Sequence, residues 1–240
     1  MAAESEASQA NAAKAMLDTI IAPKDAFTAI RAVPTWGLAL AVAIVLSAIG
    51  AYLMIPAFQH GAAGTFAHMA ASDPRIGAMS PDDQQRVLAM QQKGFGFAWI
   101  FVLVGVPFGC GISALVMLIF DKIGRGEGVF AKYWAAACNI AVVAGIGSLI
   151  TGIIAAARGA ASFPTVESVQ QALPTLALVA PGAGVKVVGF LAAITPFSLW
   201  SAALVFVAIS TIGRTSRVPA WLGAATLLLV PALIAAAFAK

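Results

Sequence analysis

Side chains that could bind a metal or act as nucleophiles are scarce, with only two histidines and two cysteines in the chain. His60 and His68 lie eight residues apart, whereas paired ligands on one helix face typically stand at positions i and i+4. No cysteine or glutamate lies near them in the sequence. Cys110 and Cys138 each fall within a long apolar stretch, where cysteine is typical of a small buried packing residue. The sequence therefore predicts no catalytic residue, no cofactor and no metal site, and it predicts that the protein is not an enzyme.

Uncharged polar side chains within the apolar stretches are the other candidates for chemistry, and they are Asn139, Thr151, Thr195 and Ser198. Such groups commonly hydrogen-bond to a neighbouring helix or to their own backbone, but the same set could line a path for a small solute. Asn139 requires partners because its amide lies inside a predicted span. No ionisable residue lies in the middle of any span, where an ion-coupled pump usually has one. A structural role and a solute site both remain open.

Five stretches of the sequence contain no charged side chain, and each is long enough to cross a bilayer as a helix. Hydrophobic residues make up 61% of the chain and charged residues 10%, whereas about 25% of the residues in soluble domains are charged. This composition predicts an all-α fold, a polytopic membrane helix bundle with five transmembrane helices and short interfacial helices. The predicted spans are residues 36–55, 97–120, 133–157, 197–212 and 219–239.

The segments outside these spans are predicted to form a tail, a loop and a connection. Residues 1–35 are predicted to be a cytoplasmic tail with an interfacial helix, and residues 36–240 the membrane domain. Within that domain, residues 56–93 are the predicted extramembrane loop. Residues 158–186 are predicted to be an interfacial connection, because their prolines and glycines disfavour a straight spanning helix. Thr195-Pro196 predicts a break in the fourth apolar stretch, after a short helical lead-in.

Small residues at four-residue steps predict close contact between helices. Gly105 and Gly109 form a Gly-x-x-x-Gly pair in the second span, and this spacing places both glycines on one helix face, where a neighbouring helix can approach closely. The third span carries two ridges of small residues, which predicts that it lies at the centre of the bundle. The packing residues predicted in the third span are Ala141, Gly145, Ser148 and Gly152.

The distribution of lysine and arginine predicts the orientation, because cytoplasmic loops of membrane proteins carry an excess of both. The tail, the second loop and the fourth loop lie on one side and carry eight basic residues, which are Lys14, Lys24, Arg31, Lys122, Arg125, Lys132, Arg214 and Arg217. The other side has six, which are Arg75, Arg86, Lys93, Arg158, Lys186 and Lys240. We therefore expect the N-terminus in the cytoplasm and the C-terminus outside.

Four landmarks occur in a characteristic order from residue 19 to residue 239. They are Ile20-Ile21-Ala22-Pro23 followed by Phe27, Ile30, Pro34 and Trp36; Ser80-Pro81; Gly124-Arg125-Gly126-Glu127-Gly128 with Phe130; and Thr195-Pro196-Phe197-Ser198-Leu199-Trp200. In their order and spacing the chain resembles a bacterial member of the Yip family, five-span membrane proteins named for their Rab-interacting eukaryotic relatives. Thr195 and Pro196 stand in the region where the family often has an acidic residue. The resemblance implies a five-span bundle with a cytoplasmic N-terminus, and it implies little about activity.

Two functions are compatible with these patterns. The first is a non-enzymatic, Yip-like membrane protein that organises the membrane or forms a complex through helix–helix packing, with the lipid bilayer and a second copy or another membrane protein as partners. The alternative is a small-solute transporter or channel. Nucleic acid is not an expected partner, because a basic groove with interleaved aromatic residues is absent. The expected location is the bacterial inner membrane.

Overall fold

The computed structural model describes residues 2–180 and 182–239, and the regular elements of this part of the chain are all helices. Side chains are described from residue 11 onwards, except at residue 170. Lys240, counted above among the cations of the outer side, lies outside the described residues. The helices are α1 (Ala2–Ile21), α2 (Pro23–Ala32), α3 (Gly37–Ser72), α4 (Pro74–Gly77), α5 (Pro81–Gly96), α6 (Ala98–Ile123), α7 (Phe130–Arg158), α8 (Val166–Gln170), α9 (Val185–Ala192), α10 (Pro196–Ile212) and α11 (Arg217–Phe238).

Four of the helices in the described part of the chain, α3, α6, α7 and α11, are long and apolar enough to cross a membrane. Helices α9 and α10 satisfy the same condition together, but they are bent by 59° at the break between them. Counting this bent pair as one span gives five. The predicted all-α membrane helix bundle is therefore confirmed, and the break in the fourth apolar stretch lies where Thr195-Pro196 predicted it.

Helix α3 is longer than the sequence indicated. It continues through Pro56 to Ser72, whereas the prediction ended the first span at residue 55 and began an extramembrane loop at residue 56. A proline inside a helix removes one backbone hydrogen bond, but the alanines that follow favour the helical conformation. The 36 residues of α3 make a helix about 54 Å long, which exceeds the roughly 30 Å of hydrocarbon. The helix is thus long enough to cross a bilayer and continue beyond it.

The chain divides into two units, and unit 1 contains residues 1–46, 104–147 and 175–240. Its core consists mainly of side chains from α6, α7 and α10, with Tyr133 as its largest fully buried residue. Helix α2 packs on α10. Burial of one large apolar side chain of α2, such as Phe27 or Ile30, contributes about 1.5–3 kcal/mol relative to leaving it in water. The contact therefore holds the predicted interfacial helix on the bundle. The α2 side chains that enter the core are Ala26, Phe27 and Ile30.

Unit 2 contains residues 47–103 and 148–174. Gln59 and Gln92 join α3 to α5 with reciprocal bonds, because each side-chain amide donates to the other residue's backbone carbonyl, at 3.2 Å and 3.0 Å. Gly61 brings α3 against the segment before α8, where a Cβ on Gly61 would lie 2.6 Å from the carbonyl carbon of Thr165. Two side-chain hydrogen bonds and one close backbone contact therefore fix the predicted extramembrane segment to the rest of this unit.

Candidate functional site

Small residues bring the backbones of α3 and α7 into contact in unit 2. A Cβ added at Gly152 would lie 2.6 Å from the carbonyl oxygen of Gly50, and a Cβ at Gly50 would overlap the backbone of Ser148. The Ser148 hydroxyl donates a hydrogen bond to the carbonyl of Ser47 at 3.4 Å. Two of the predicted packing residues, Ser148 and Gly152, thus lie where the helices approach most closely.

The other two predicted residues of the third span, Ala141 and Gly145, lie in unit 1. Gly145 is buried and Ala141 is half-buried. Ala141 packs against a small apolar cluster formed by Ala39, Ala43 and Val142, which joins the first turns of α3 to α7. The small-residue ridge of α7 therefore contacts α3 within each unit.

Gly105 and Gly109 behave differently from the α7 residues. A Cβ built on either glycine meets no atom within 4 Å in the described chain. The large side chains on the same face of α6 are also exposed, among them Phe108 at 69% and Ile112 at 46%. No helix in the described part of the chain therefore packs against the Gly-x-x-x-Gly pair, which leaves this face of α6 open.

Asn139 connects α7 to the chain just before α3. Its side chain is 1% exposed, and its amide nitrogen donates to the carbonyl of Thr35 at 3.0 Å and to that of Ala135 at 2.8 Å. The amide oxygen of Asn139 is buried and has no hydrogen-bond partner in the described chain. The amide nitrogen of Asn139 thus donates to two backbone carbonyls, as expected for a structural role.

Thr195 and Ser198 form a capping box at the start of α10. The Thr195 hydroxyl accepts a hydrogen bond from the amide of Ser198 at 3.1 Å, and the Ser198 hydroxyl accepts one from the amide of Thr195 at 2.8 Å. These bonds satisfy amides that the broken helix would otherwise leave unpaired. Thr151, the fourth predicted polar residue, is half-buried on α7 in unit 2, so the four candidates do not belong to one unit.

The sequence reasoning missed a buried carboxylate at the end of α6. Asp121 is fully buried in unit 1, and its Oδ2 accepts a hydrogen bond from the amide of Gly128 at 3.0 Å. The Lys122 ammonium lies 3.4 Å from the same carboxylate oxygen, and it donates to the carbonyls of Gly126 at 3.0 Å and Gly128 at 2.7 Å. Asp121 and Lys122 therefore hold the loop between α6 and α7 at Gly126 and Gly128.

Glycines make room for this carboxylate. A Cβ on Gly126 or on Gly213 would overlap Asp121 Oδ1, and a Cβ on Gly128 would meet the ring of Tyr133 at 2.5 Å. The amide of Glu127 donates to the carbonyl of Gly213 at 3.0 Å, so the α6–α7 loop is bonded to the α10–α11 loop. We refer to this group as the Asp121 cluster; its members are Asp121, Lys122, Gly126, Gly128, Tyr133 and Gly213.

The Tyr133 hydroxyl and the Asp121 carboxylate interact within the Asp121 cluster. Asp121 Oδ1 and the Tyr133 hydroxyl are both buried, and neither meets the geometry of a hydrogen bond within the described chain. A Cβ added on Gly213 would overlap Asp121 Oδ1 and would lie 2.8 Å from the Tyr133 hydroxyl oxygen. The available sequence signal was the Gly-Arg-Gly-Glu-Gly turn at 124–128, one residue beyond Asp121-Lys122, because several glycines in a short loop indicate a close backbone approach.

The two histidines belong to unit 2 and the two cysteines to unit 1. No group of three or more His, Cys, Asp or Glu side chains in the described part of the chain is placed to hold a metal ion. His60 Nδ1 lies 3.2 Å from the carbonyl oxygen of Phe163. Cys110 and Cys138 are buried as free thiols, adjacent to each other between α6 and α7. His60 thus lies beside a backbone carbonyl, the two cysteines are packed in the core, and His68 is exposed.

The fold and these contacts define an integral membrane protein of the helix-bundle class, in which the polar side chains described above bond mainly to backbone. No family model, curated protein or solved structure matches this chain.

Proposed function

We propose that this chain is a non-enzymatic membrane protein that forms a complex with a second copy of itself through the open face of α6. The observation that supports the proposal is the unoccupied space beside Gly105 and Gly109. Glycines at this spacing allow helices in a membrane to approach backbone to backbone. A Gly-x-x-x-Gly face is self-complementary under a twofold axis, the commonest symmetry of homo-oligomers.

The contacts of α3 with α7 support this assignment by comparison. At Gly50 and Gly152 the chain uses small residues for a close helix approach, and a Cβ at either position would collide with the neighbouring helix. At Gly105 and Gly109 the same device has no partner in the described chain. A second copy of α6 would supply that partner.

The wider assignment follows the sequence patterns. We propose a Yip-like protein of the bacterial inner membrane with a cytoplasmic N-terminus and an outer C-terminus. Such a protein organises the membrane or a larger complex without catalysis and without binding nucleic acid. The bonding of Asn139, Thr195 and Ser198 to backbone groups supports a structural rather than a catalytic use of the polar residues.

The test is the dimer fraction of the full chain in liposomes, measured by energy transfer between donor-labelled and acceptor-labelled copies. Replacement of both Gly105→Leu and Gly109→Leu should lower the apparent dimerisation constant about tenfold or more, because the added side chains keep the two helices apart. Gly94→Leu is the matched control, since a Cβ at Gly94 also meets nothing within 4 Å but lies on α5. A monomeric wild type, or a double variant that dimerises normally, would contradict the proposal.

One observation favours the alternative of a small-solute transporter or channel. The 59° bend between α9 and α10 makes a discontinuous span, and such breaks can frame a solute site near the middle of the membrane. Flux measurements in liposomes test this alternative directly. A flux that survives Asn139→Leu would remove Asn139 from the path, and the absence of flux for a panel of small solutes would count against transport.

A further inference from the structure

Four exposed cations lie on or directly beside the two loops that the Asp121 cluster joins. We refer to them as the basic rim, and its members are Lys122, Arg125, Arg214 and Arg217. Lys122 lies in the last turn of α6 and Arg125 in the loop that follows it, while Arg214 lies in the loop between α10 and α11 and Arg217 is the first residue of α11. The bond from the Glu127 amide to the Gly213 carbonyl brings the two loops together within unit 1.

Buried contacts hold the backbone of the rim at Arg125 and Arg214. Arg125 and Arg214 have φ values of 56° and 54°, in the left-handed region that non-glycine residues seldom adopt. Buried contacts hold both turns in place, because Gly126 and Gly213, the neighbours of the two arginines, close over the Asp121 carboxylate. The backbone at both arginines therefore has a defined conformation.

Acids do not neutralise the rim. Lys132, half-buried in the first turn of α7, adds a fifth cation, while the acids on or directly beside these loops are the buried Asp121 and the exposed Glu127. Five cations and two acids leave a net charge of 5 − 2 = +3. The pair between Glu127 and Arg214 is 3.9 Å apart, and both side chains are more than half exposed, so water and salt screen it strongly.

The rim lies directly beside apolar side chains. Helix α6 ends beside it at Ile123, and α7 and α11 begin beside it. Ile123, Phe130, Val218 and Trp221 are all exposed. Tryptophan near the end of a spanning helix is typical of the level of lipid headgroups. A soluble anion would gain nothing from these side chains, whereas a lipid offers an acyl chain to them and a phosphate to the cations.

We infer that the basic rim binds the phosphate of anionic phospholipid headgroups, with Arg214 and Arg217 as principal contacts. Basic clusters at the end of a membrane helix attract anionic lipid at about 1 kcal/mol per cation, which corresponds to roughly fivefold in affinity. The inference is independent of dimerisation through α6, because the rim lies at the end of α6 and beyond it, whereas the open glycine face lies at Gly105 and Gly109.

The experiment places the full chain in phosphatidylcholine vesicles that contain a small fraction of brominated lipid, which quenches tryptophan fluorescence on contact. The expected result is stronger quenching by brominated phosphatidylglycerol than by brominated phosphatidylcholine at equal fractions. Arg214→Asn with Arg217→Gln should reduce this preference by about tenfold or more. Asparagine is chosen at position 214 because it tolerates the left-handed backbone.

The matched control is the pair Arg75→Gln and Arg86→Gln, which also removes two exposed arginines but in unit 2. This pair should leave the lipid preference unchanged. For the wild type, the preference should also fall as salt is raised, because exposed charges are screened; this measurement does not depend on a variant that folds. Equal quenching by the two lipids, or a preference that does not respond to salt, would overturn the inference.

Two further arms separate the sources of anion. Inorganic phosphate at millimolar concentration should not displace the brominated phosphatidylglycerol, and complete displacement would show a site for soluble phosphate instead. An acidic polypeptide added to the vesicles should displace the lipid no better than its contribution to ionic strength predicts. Specific displacement by that polypeptide would assign the rim to a protein partner and would also overturn the inference.

Discussion

At the scale of single residues, the most constrained atoms lie around the Asp121 carboxylate. A fully buried charge is tolerated only when it is paired and hydrogen-bonded, and here Lys122 and the amide of Gly128 supply these contacts. The glycines at 126 and 213 are required for space, since the φ of Gly213 is −83° and any residue could adopt it. These two positions should therefore respond to the size of the side chain.

Gly213→Ala should destabilise the protein by about 1–3 kcal/mol, because the added methyl group would overlap the carboxylate and force the packed loops apart. The measurement is the free energy of unfolding in mild detergent, or the shift in thermal midpoint. Gly94→Ala is the control, since a Cβ there meets open space on α5; it should be neutral or slightly stabilising. An unchanged midpoint for Gly213→Ala would mean that the carboxylate is not enclosed at this position.

Asp121→Asn should cost about 1–3 kcal/mol, because the Lys122 ammonium loses its negative partner and the Gly128 amide keeps only a weaker, uncharged acceptor. Asp82→Asn, at an exposed position in the first turn of α5, should change the free energy of unfolding by less than about 0.5 kcal/mol. The two variants can be compared in the same unfolding assay. Equal stability would show that Asp121 does not hold the loops together.

At the scale of helices, the residues around a proline differ between the break before α10 and the continuous helix α3. The break before α10 coincides with a Thr-x-x-Ser capping box and a proline at the first helical position, a position that proline tolerates without loss of a bond. Helix α3 contains a proline but no cap at that point, and it continues. Pro196 thus begins a helix after a capping residue, whereas Pro56 lies inside a continuous helix.

Thr195→Ala should destabilise the protein by about 1 kcal/mol, the typical cost of losing a side-chain cap, because the amide of Ser198 would lose its acceptor. Thermal unfolding in detergent measures the effect. Thr226→Ala is the control, since the hydroxyl of half-buried Thr226 donates to the Leu222 carbonyl within α11 and caps no helix end. If both variants were equally stable, the break would not depend on the cap.

The sequence predicted the helices better than the contacts between them. Long charge-free stretches identify spanning helices because hydrocarbon excludes charges, and Thr195-Pro196 located the break from local chemistry alone. The Asp121 cluster could not be predicted in this way. Its partners come from two loops nearly ninety residues apart in sequence, at 126–128 and 213, and the carboxylate looked like an ordinary interfacial charge at the end of a span.

At the scale of the whole molecule, contacts within unit 1 place several connections at one end of its bundle. Asn139, in the third turn of α7, donates to the carbonyl of Thr35 just before α3, and the α6–α7 loop bonds to the α10–α11 loop. The segment before α3 and both loops therefore share one end. This arrangement matches the grouping of these segments on one side in the charge count, while the compartment on that side is still a prediction.

An orientation experiment tests that prediction. In a variant with Cys110→Ala and Cys138→Ala, a new cysteine at Ser216 should react with a membrane-impermeant thiol reagent only after intact cells are opened. A cysteine at Asp82, in the predicted extramembrane segment, should react in intact cells. Labelling is measured as the mass added to the purified protein. The reverse pattern would place the N-terminus outside.

The burial of Asp121 also has a consequence for how the two loops respond to electrolyte. Mobile ions cannot reach a carboxylate that is fully enclosed, so concentrated salt should leave the junction between the loops intact. The arginines around it face water, and at 0.15 M ionic strength their field decays over about 8 Å. A change in ionic strength would therefore release whatever the arginines attract while the loops keep their shape, so that attachment at this surface could be reversed without unfolding it.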